Sequence, residues 1–152
     1  MQSAYPAPSS EFGFRPTKGQ FYLLSLTWGL FETAVGTCLA AGLIATGHKP
    51  KKWGLCCAFE LGEGWGGFSV GPFFVTQKNA SARLKNHEHG HALQNCIFGP
   101  LMPFVINCPS TCRYWYRRAV KNRKSLPPYD SVWFEGDATK RGTEYVKNLE
   151  KL

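Results

Sequence analysis

Apolar and polar positions alternate along this chain in blocks, and the blocks predict its elements. Residues 1–20, MQSAYPAPSSEFGFRPTKGQ, are rich in Pro, Ser and Gly and read as a flexible lead-in. Residues 21–47 then hold one ionisable side chain, Glu32, in 27 positions. About 20 mostly apolar residues in a helix suffice to cross a bilayer, so this block predicts a transmembrane helix. It is longer than the roughly 7–15 residues of a signal-peptide core. Its aromatic start (Phe21, Tyr22, Trp28) and its basic end, HKPKKW, suit the two interfaces of a membrane. The competing reading is a helix buried inside a soluble protein.

Residues 53–76 form the one region with strand character. Two β-rich runs, 55–61 and 68–76, flank the turn-forming GEGWGG, which predicts a β-hairpin with a Gly-rich connection. Pro72 lacks an N–H, which predicts an edge or bulged position for the second run. A helix is expected over residues 81–98 with Ser81 as its N-cap. Residues 93–112 carry no charge in 20 positions but are broken by Gly99, Pro100, Pro103 and Pro109. The turn LPPYD and a polar helix over residues 131–149 complete the chain. The fold class expected is therefore mainly α with a small β-hairpin, an α+β arrangement. Its units are a lead-in (1–20), a transmembrane helix (21–47) and a core (48–152). No internal repeat is present.

Length and composition narrow the class. A chain of 152 residues fits one domain. Apolar residues make up 43%, aromatics 14% and charged residues only 18%, which excludes an intrinsically disordered chain. The net charge of +8 calls for an acidic partner or a membrane surface. Two Lys or Arg precede Phe21, six lie in residues 49–85 and ten in residues 113–151. By the positive-inside tendency, the C-terminal part lies on the cytoplasmic side of a membrane. A second span over residues 93–112 would put the ten terminal basic residues outside, so that block is expected to be re-entrant, interfacial or packed on the first helix. Residues 113–124 interleave basic side chains, among them Arg113, Arg117, Arg118 and Lys121, with Tyr114, Trp115 and Tyr116. Directly after an apolar block, such a stretch is expected to meet anionic lipid headgroups, with nucleic acid the less favoured partner. Six cysteines without a CxxC pair point to free, buried thiols. Glu32, an acid within the first apolar block, is a functional candidate by its position alone.

The chemistry concentrates in His87-Glu88-His89-Gly90-His91. On a helix, His87 and His91 stand one turn apart on one face, where two imidazoles can grip one metal ion. Glu88 sits about 100° round the helix and can act on a water without being a ligand. This is the H-E-x-x-H pattern, two zinc ligands plus a general base. Three of the four histidines fall within these five residues. The motif also follows run 68–76, whose Phe68, Val70 and Phe73 are candidates to bind an extended peptide as an added strand. The competing reading is a helix whose histidines are exposed or bind adventitious metal. His89 faces away from the pair and is expected either to support the ligands or to lie in solvent. A catalytic site needs a third ligand. His48 stands among lysines and ranks low; the downstream acids are Asp130, Glu135, Asp137, Glu144 and Glu150. Of these, Glu135 lies on a helix beside Trp133 and Phe134, an apolar setting in which an acid needs a reason.

With HEHGH followed by Glu135-Gly136-Asp137-Ala138-Thr139, the chain resembles the gluzincins, zinc metallopeptidases in which a glutamate on a second helix completes the site. In their membrane-bound branch, which includes CAAX prenyl proteases and the heat-shock membrane protease, the second motif reads E-x-x-A-D. Here Thr139 replaces the final Asp. The likeness spans residues 65–142 and is to the catalytic core only. The chain also resembles small bacterial membrane proteins with the same HExGH and apolar-Pro segments, a likeness that brings no substrate. The resemblance implies a zincin-like core binding one Zn²⁺ per chain through His87, His91 and Glu135, with Glu88 as general base. Thr139 can still hydrogen-bond a histidine ligand but supplies no charge to orient it, and the resemblance implies a peptide or protein substrate. Tyr129, Tyr145, Arg141 and His89 are the candidate donors to an oxyanion. The alternative class is a membrane protein whose motif is vestigial or holds a structural metal. Glu88 argues against it, because such a site has no use for a base.

Overall fold

In the computed structural model, which describes residues 13–149, a small sheet separates two helical layers. The helices are α1 (Lys18–Leu26), α2 (Leu30–Ala45), α3 (Ala82–Phe98), α4 (Cys108–Ala119) and α5 (Trp133–Leu149). The strands are β1 (Lys51–Trp53), β2 (Cys56–Glu60), β3 (Gly67–Val70) and β4 (Phe73–Thr76). The α+β class expected from the sequence holds at this level.

Period-two alternation assigns the two faces of the sheet. Cys56 and Ala58 of β2 and Phe74 of β4 pack against Phe21 of α1 and Ala92, Leu93 and Cys96 of α3. Phe59 and Val75 face the other way, onto Ala40 and Leu43 of α2. A third cluster, Met102, Ile106 and Phe134, ties the apolar connection after α3 to α5.

The sheet differs from the expected hairpin. The strand order is β1-β2-β4-β3, with β2 and β4 parallel and both flanking pairs antiparallel. The run 68–76 is not one strand. It turns at Gly71, whose φ of +59° suits glycine, and Pro72 sits in that turn rather than on an edge strand. Hydrophobic alternation fixes which face a strand buries but not which strand it meets. Phe73 therefore lies on the inner strand β4, packed toward α2, and is not on the edge. Phe68 and Val70 are.

The single transmembrane helix expected over residues 21–47 is also corrected. The block breaks at residues 27–29 into α1 and α2, bent by 92°, and no single described helix is long and apolar enough to cross a membrane. Tertiary contacts make the break. Trp28 Nε1 donates to Ile97 O at the end of α3 (3.1 Å), and Thr33 Oγ1 reaches back to Ser25 O (2.6 Å). Nothing in the local sequence beyond Gly29 signals this.

Residues 1–12 of the expected lead-in lie outside the described residues. Residues 13–17, however, are held on α5: Arg15 pairs with Glu144 at 3.2 Å and Phe14 O accepts from Arg141. Thr17 then caps α1 in a capping box with Gln20. Ser81 caps α3 as expected. The broken apolar block 93–112 is divided. Its first part completes α3, a 3-10 turn (Gly99–Leu101) and a π-helical turn (Pro103–Asn107) follow, and Cys108 already belongs to α4. The cysteines are free, but only Cys56 and Cys96 are fully buried, while Cys38, Cys108 and Cys112 are exposed.

Candidate metal centre

Helix α3 carries the site, and its composition is unusual for a helix enclosed by protein. Eleven consecutive residues, Asn86 to Cys96, are buried, and seven of them are polar or charged. A buried polar group needs a partner, and most have one. Asn86 Oδ1 accepts from Trp53 Nε1 (2.9 Å), and Gln94 Nε2 donates to Phe134 O (2.9 Å) and Asp137 Oδ2 (2.8 Å).

Helix α5 crosses α3 at backbone contact. A Cβ on Gly90 would overlap the Ala138 carbonyl, and one on Gly142 would overlap the Asn86 carbonyl. Two glycines therefore permit the approach that carries Glu135 to the histidines. His87 Nε2 and His91 Nε2 lie 3.1 Å apart, and Glu135 Oε2 lies 3.1 Å from the first and 3.3 Å from the second. All three residues are buried. Tetrahedral coordination with bonds of about 2.0–2.1 Å separates its ligands by about 3.3 Å. The triad thus stands at the separations that one metal ion requires.

The surrounding hydrogen bonds aim these atoms. Gln94 gives both its N–H groups to acceptors, so its Oε1 faces His91 Nδ1 at 2.8 Å. In the neutral ring, the form that binds a metal, the proton must sit on Nδ1 to satisfy that contact, which leaves the lone pair on Nε2. Thr139 Oγ1 stands 2.8 Å from His87 Nδ1 and orients that ring, its hydroxyl able either to accept from Nδ1–H or to donate to Nδ1. Thr139 thus hydrogen-bonds one of the two histidines, without supplying a charge. Ser110 Oγ donates to Glu135 Oε1 (2.6 Å), turning Oε2 toward the histidines. Asp137, two residues on, is held by Arg141 at 2.8 Å.

Electrostatics also favour a cation here. Burial alone would raise the Glu135 pKa, but hydrogen bonds from His87, His91 and Ser110 outweigh it and hold the carboxyl well below its usual range. Burial disfavours the charged form of His91, and the Glu135 carboxylate beside it wins and raises its pKa. Glu88 is raised by burial, partly offset by the two histidines. Its Oε2 has no hydrogen-bond partner. An orphaned carboxylate oxygen beside converging imidazoles fits a site built around a positive ion and a water.

A cavity of about 1020 Å³ opens onto His87, Glu88 and His91. One wall is β3, the free edge of the sheet, with Phe68 and Val70; the opposite wall is α4 with Tyr114 and Arg117. Ser69 Oγ donates to Glu88 O (2.9 Å), and Gly67 lies so close that a Cβ would come 2.8 Å from Glu88 Oε1. Tyr129 lines the cavity, with its ring 6.2 Å from that of His87 and its hydroxyl 3.4 Å from Ser110 Oγ. Burial, followed by the Glu135 charge, pushes its phenol up to about 12, so it remains a donor.

Other expected residues fall elsewhere. His89 is fully buried on the far side of α3, where its Nε2 accepts from Leu55 N–H (3.2 Å) and its ring stacks on Phe21. It supports the fold and neither touches a ligand nor reaches solvent. Tyr145 bonds Pro16 O, and Arg141 bonds Asp137, so neither lines the cavity as an oxyanion donor would. His48 bonds Thr46 at the end of α2. The Arg113 guanidinium is engaged within the protein, donating to Pro128 O, Tyr129 O and Ser131 Oγ. Arg117 bonds Pro127 O and Arg118 bonds Tyr114 OH, while Lys121 is exposed. Sequence reasoning missed Gln94 and Ser110. Gln94 had a signal, since it stands three residues after His91 on the same face; Ser110 had none. Comparison with protein-family models, curated proteins and solved structures found no match.

Proposed function

We propose that this chain is a zinc-dependent peptidase, with His87, His91 and Glu135 as the metal ligands. The observation that carries the reading is the convergence of two Nε2 atoms and one carboxylate oxygen at 3.1–3.3 Å, on a cavity that Glu88 also lines. Two imidazoles and a carboxylate are the donor set of a catalytic zinc with one position left open. Zinc so held supplies Lewis acidity and brings the pKa of a water to about 7.

The rest of the chemistry belongs to the chain. Glu88, with Oε2 unpartnered, takes the proton of the attacking water and returns it to the leaving amine. The Tyr129 hydroxyl donates to the oxygen that gains charge on the substrate carbonyl. Peptide is the favoured substrate because β3 offers an unpaired strand edge beside Glu88, where an extended main chain can add as a fifth strand.

Glu88→Gln tests this most simply. The variant keeps the shape and the metal ligands and removes the base. Zinc content should be unchanged, and cleavage of a quenched-fluorescence peptide library should fall by about 10²–10⁴. Cleavage equal to wild type would show that Glu88 is not the base.

A further inference from the structure

Six large exposed apolar side chains gather round the corner where α1 meets α2. Trp28 forms the corner. Its indole donates to Ile97 O and lies over Gly99, where any Cβ would overlap it. That contact places the turn Gly99–Leu101 beside the corner. Asn107 Nδ2 donates to Glu32 Oε1 (2.9 Å), which sets the π-helical turn beside the first turn of α2. Leu101 and Phe104 therefore flank Leu26, Trp28, Leu30 and Phe31, and all six are exposed, Phe104 by 74%. The surface continues along α2, where Ala34, Val35, Cys38, Ala41, Ile44 and Ala45 are exposed and no charged residue is. A helix apolar on its outward face as well as its inward one needs a cover other than water.

Charge identifies the cover. From residue 13 to residue 59 the one acid is Glu32, and it is buried against Asn107. Lys18 begins α1, and Lys49 and Lys52 follow α2, all exposed. A second copy of the chain seated on this face would bring those lysines toward like charges. Anionic headgroups around an acyl interior match both features. Geometry sets the depth. Helix α2, at 16 residues, measures about 24 Å, short of a hydrocarbon core of about 30 Å, and α1 leaves it at 92°.

We infer that the α1–α2 corner, with Leu101 and Phe104, inserts into one leaflet of an anionic bilayer without crossing it, and that Lys18, Lys49 and Lys52 meet the lipid phosphates. This surface is independent of the metal reading, and its test needs no activity.

The full chain is floated with vesicles of phosphatidylcholine alone and of phosphatidylcholine with phosphatidylglycerol. Wild type should float with the anionic vesicles and far less with the neutral ones. The Phe31→Glu/Phe104→Glu variant replaces two exposed side chains, so its circular dichroism should be native while flotation is lost. Lys49→Ala/Lys52→Ala should weaken binding about fivefold per lysine. Depth is read by impermeant maleimide outside sealed vesicles. Gly13→Cys and Lys52→Cys, with Cys38, Cys108 and Cys112 changed to serine, should both label. Protection of only one would show a span and overturn the inference. Absence of flotation with either vesicle would overturn it too. So would a lipid-free dimer that the Phe31→Glu/Phe104→Glu variant dissolves while flotation persists.

Discussion

At the scale of single residues, the side chains around the ligands decide how well the site holds a metal. Gln94→Leu keeps the volume but leaves His91 Nδ1–H without its acceptor. Metal affinity should fall about 10–100-fold with the ligands intact, as measured by competition against a chromophoric chelator. An unchanged affinity would show that Gln94 merely fills space. His89 bears on pH rather than on metal. Burial presses its folded pKa to about 4 from 6.5, so the unfolded chain takes up a proton that the folded chain refuses. No stability is lost through this group above pH 6.5, and the loss accrues as pH falls from 6.5 toward 4, reaching about 3 kcal/mol. In metal-stripped protein, His89→Phe should therefore show a shallower fall of the urea midpoint across that window than wild type. Parallel curves would contradict the assignment. His87, Glu88, His91 and Glu135 were legible as candidates because few residue types can ligate a metal or act as a base, and a helix fixes the spacing of the first three. Ser110 was not legible, because a serine acquires meaning only when the fold brings it 2.6 Å from Glu135.

Among the elements, the crossing of α3 over α5 does most to build the site. Within an isolated helix, Gly142→Ala would gain about 1 kcal/mol by propensity. Here the new methyl would overlap the Asn86 carbonyl, and overpacking costs about 1–3 kcal/mol, with a clash against backbone at the upper end. The second effect wins, so Gly142→Ala should lower the unfolding midpoint and weaken metal binding together, because the same shift moves Glu135. Thermal melts with and without zinc read both. A stabilised variant would show that the helices are not in backbone contact. The Ser81 cap and the two motifs disclosed α3 and α5, and the implied ligand set brought them side by side, yet the sequence carried no sign of backbone contact beyond two glycines among sixteen. The sheet was half legible for a related reason. Alternation in residues 55–61 and 68–76 marked the buried faces, whereas the parallel pairing of β2 with β4 depends on the turn at Gly71 and on β1, a strand of three residues.

At the scale of the whole molecule, the candidate metal centre joins segments 44 residues apart, so an ion held there would staple α3 to α5. The continuous apolar block 21–47 read as one helix because hydropathy records only that water is avoided. It does not record whether protein or lipid provides the cover, and the bend at Trp28 is set by α3 and Gly99 from far along the chain. Zinc binding should raise the melting temperature, and chelation should reverse the gain. The most direct test of the central claim is the metal content of the purified chain under zinc-replete conditions, wild type beside His87→Ala and Glu135→Ala. The expected result is about one zinc per chain in wild type and loss in both variants. A metal-free wild type would contradict the centre itself, and zinc retained by Glu135→Ala would contradict the geometry that makes Glu135 its third ligand.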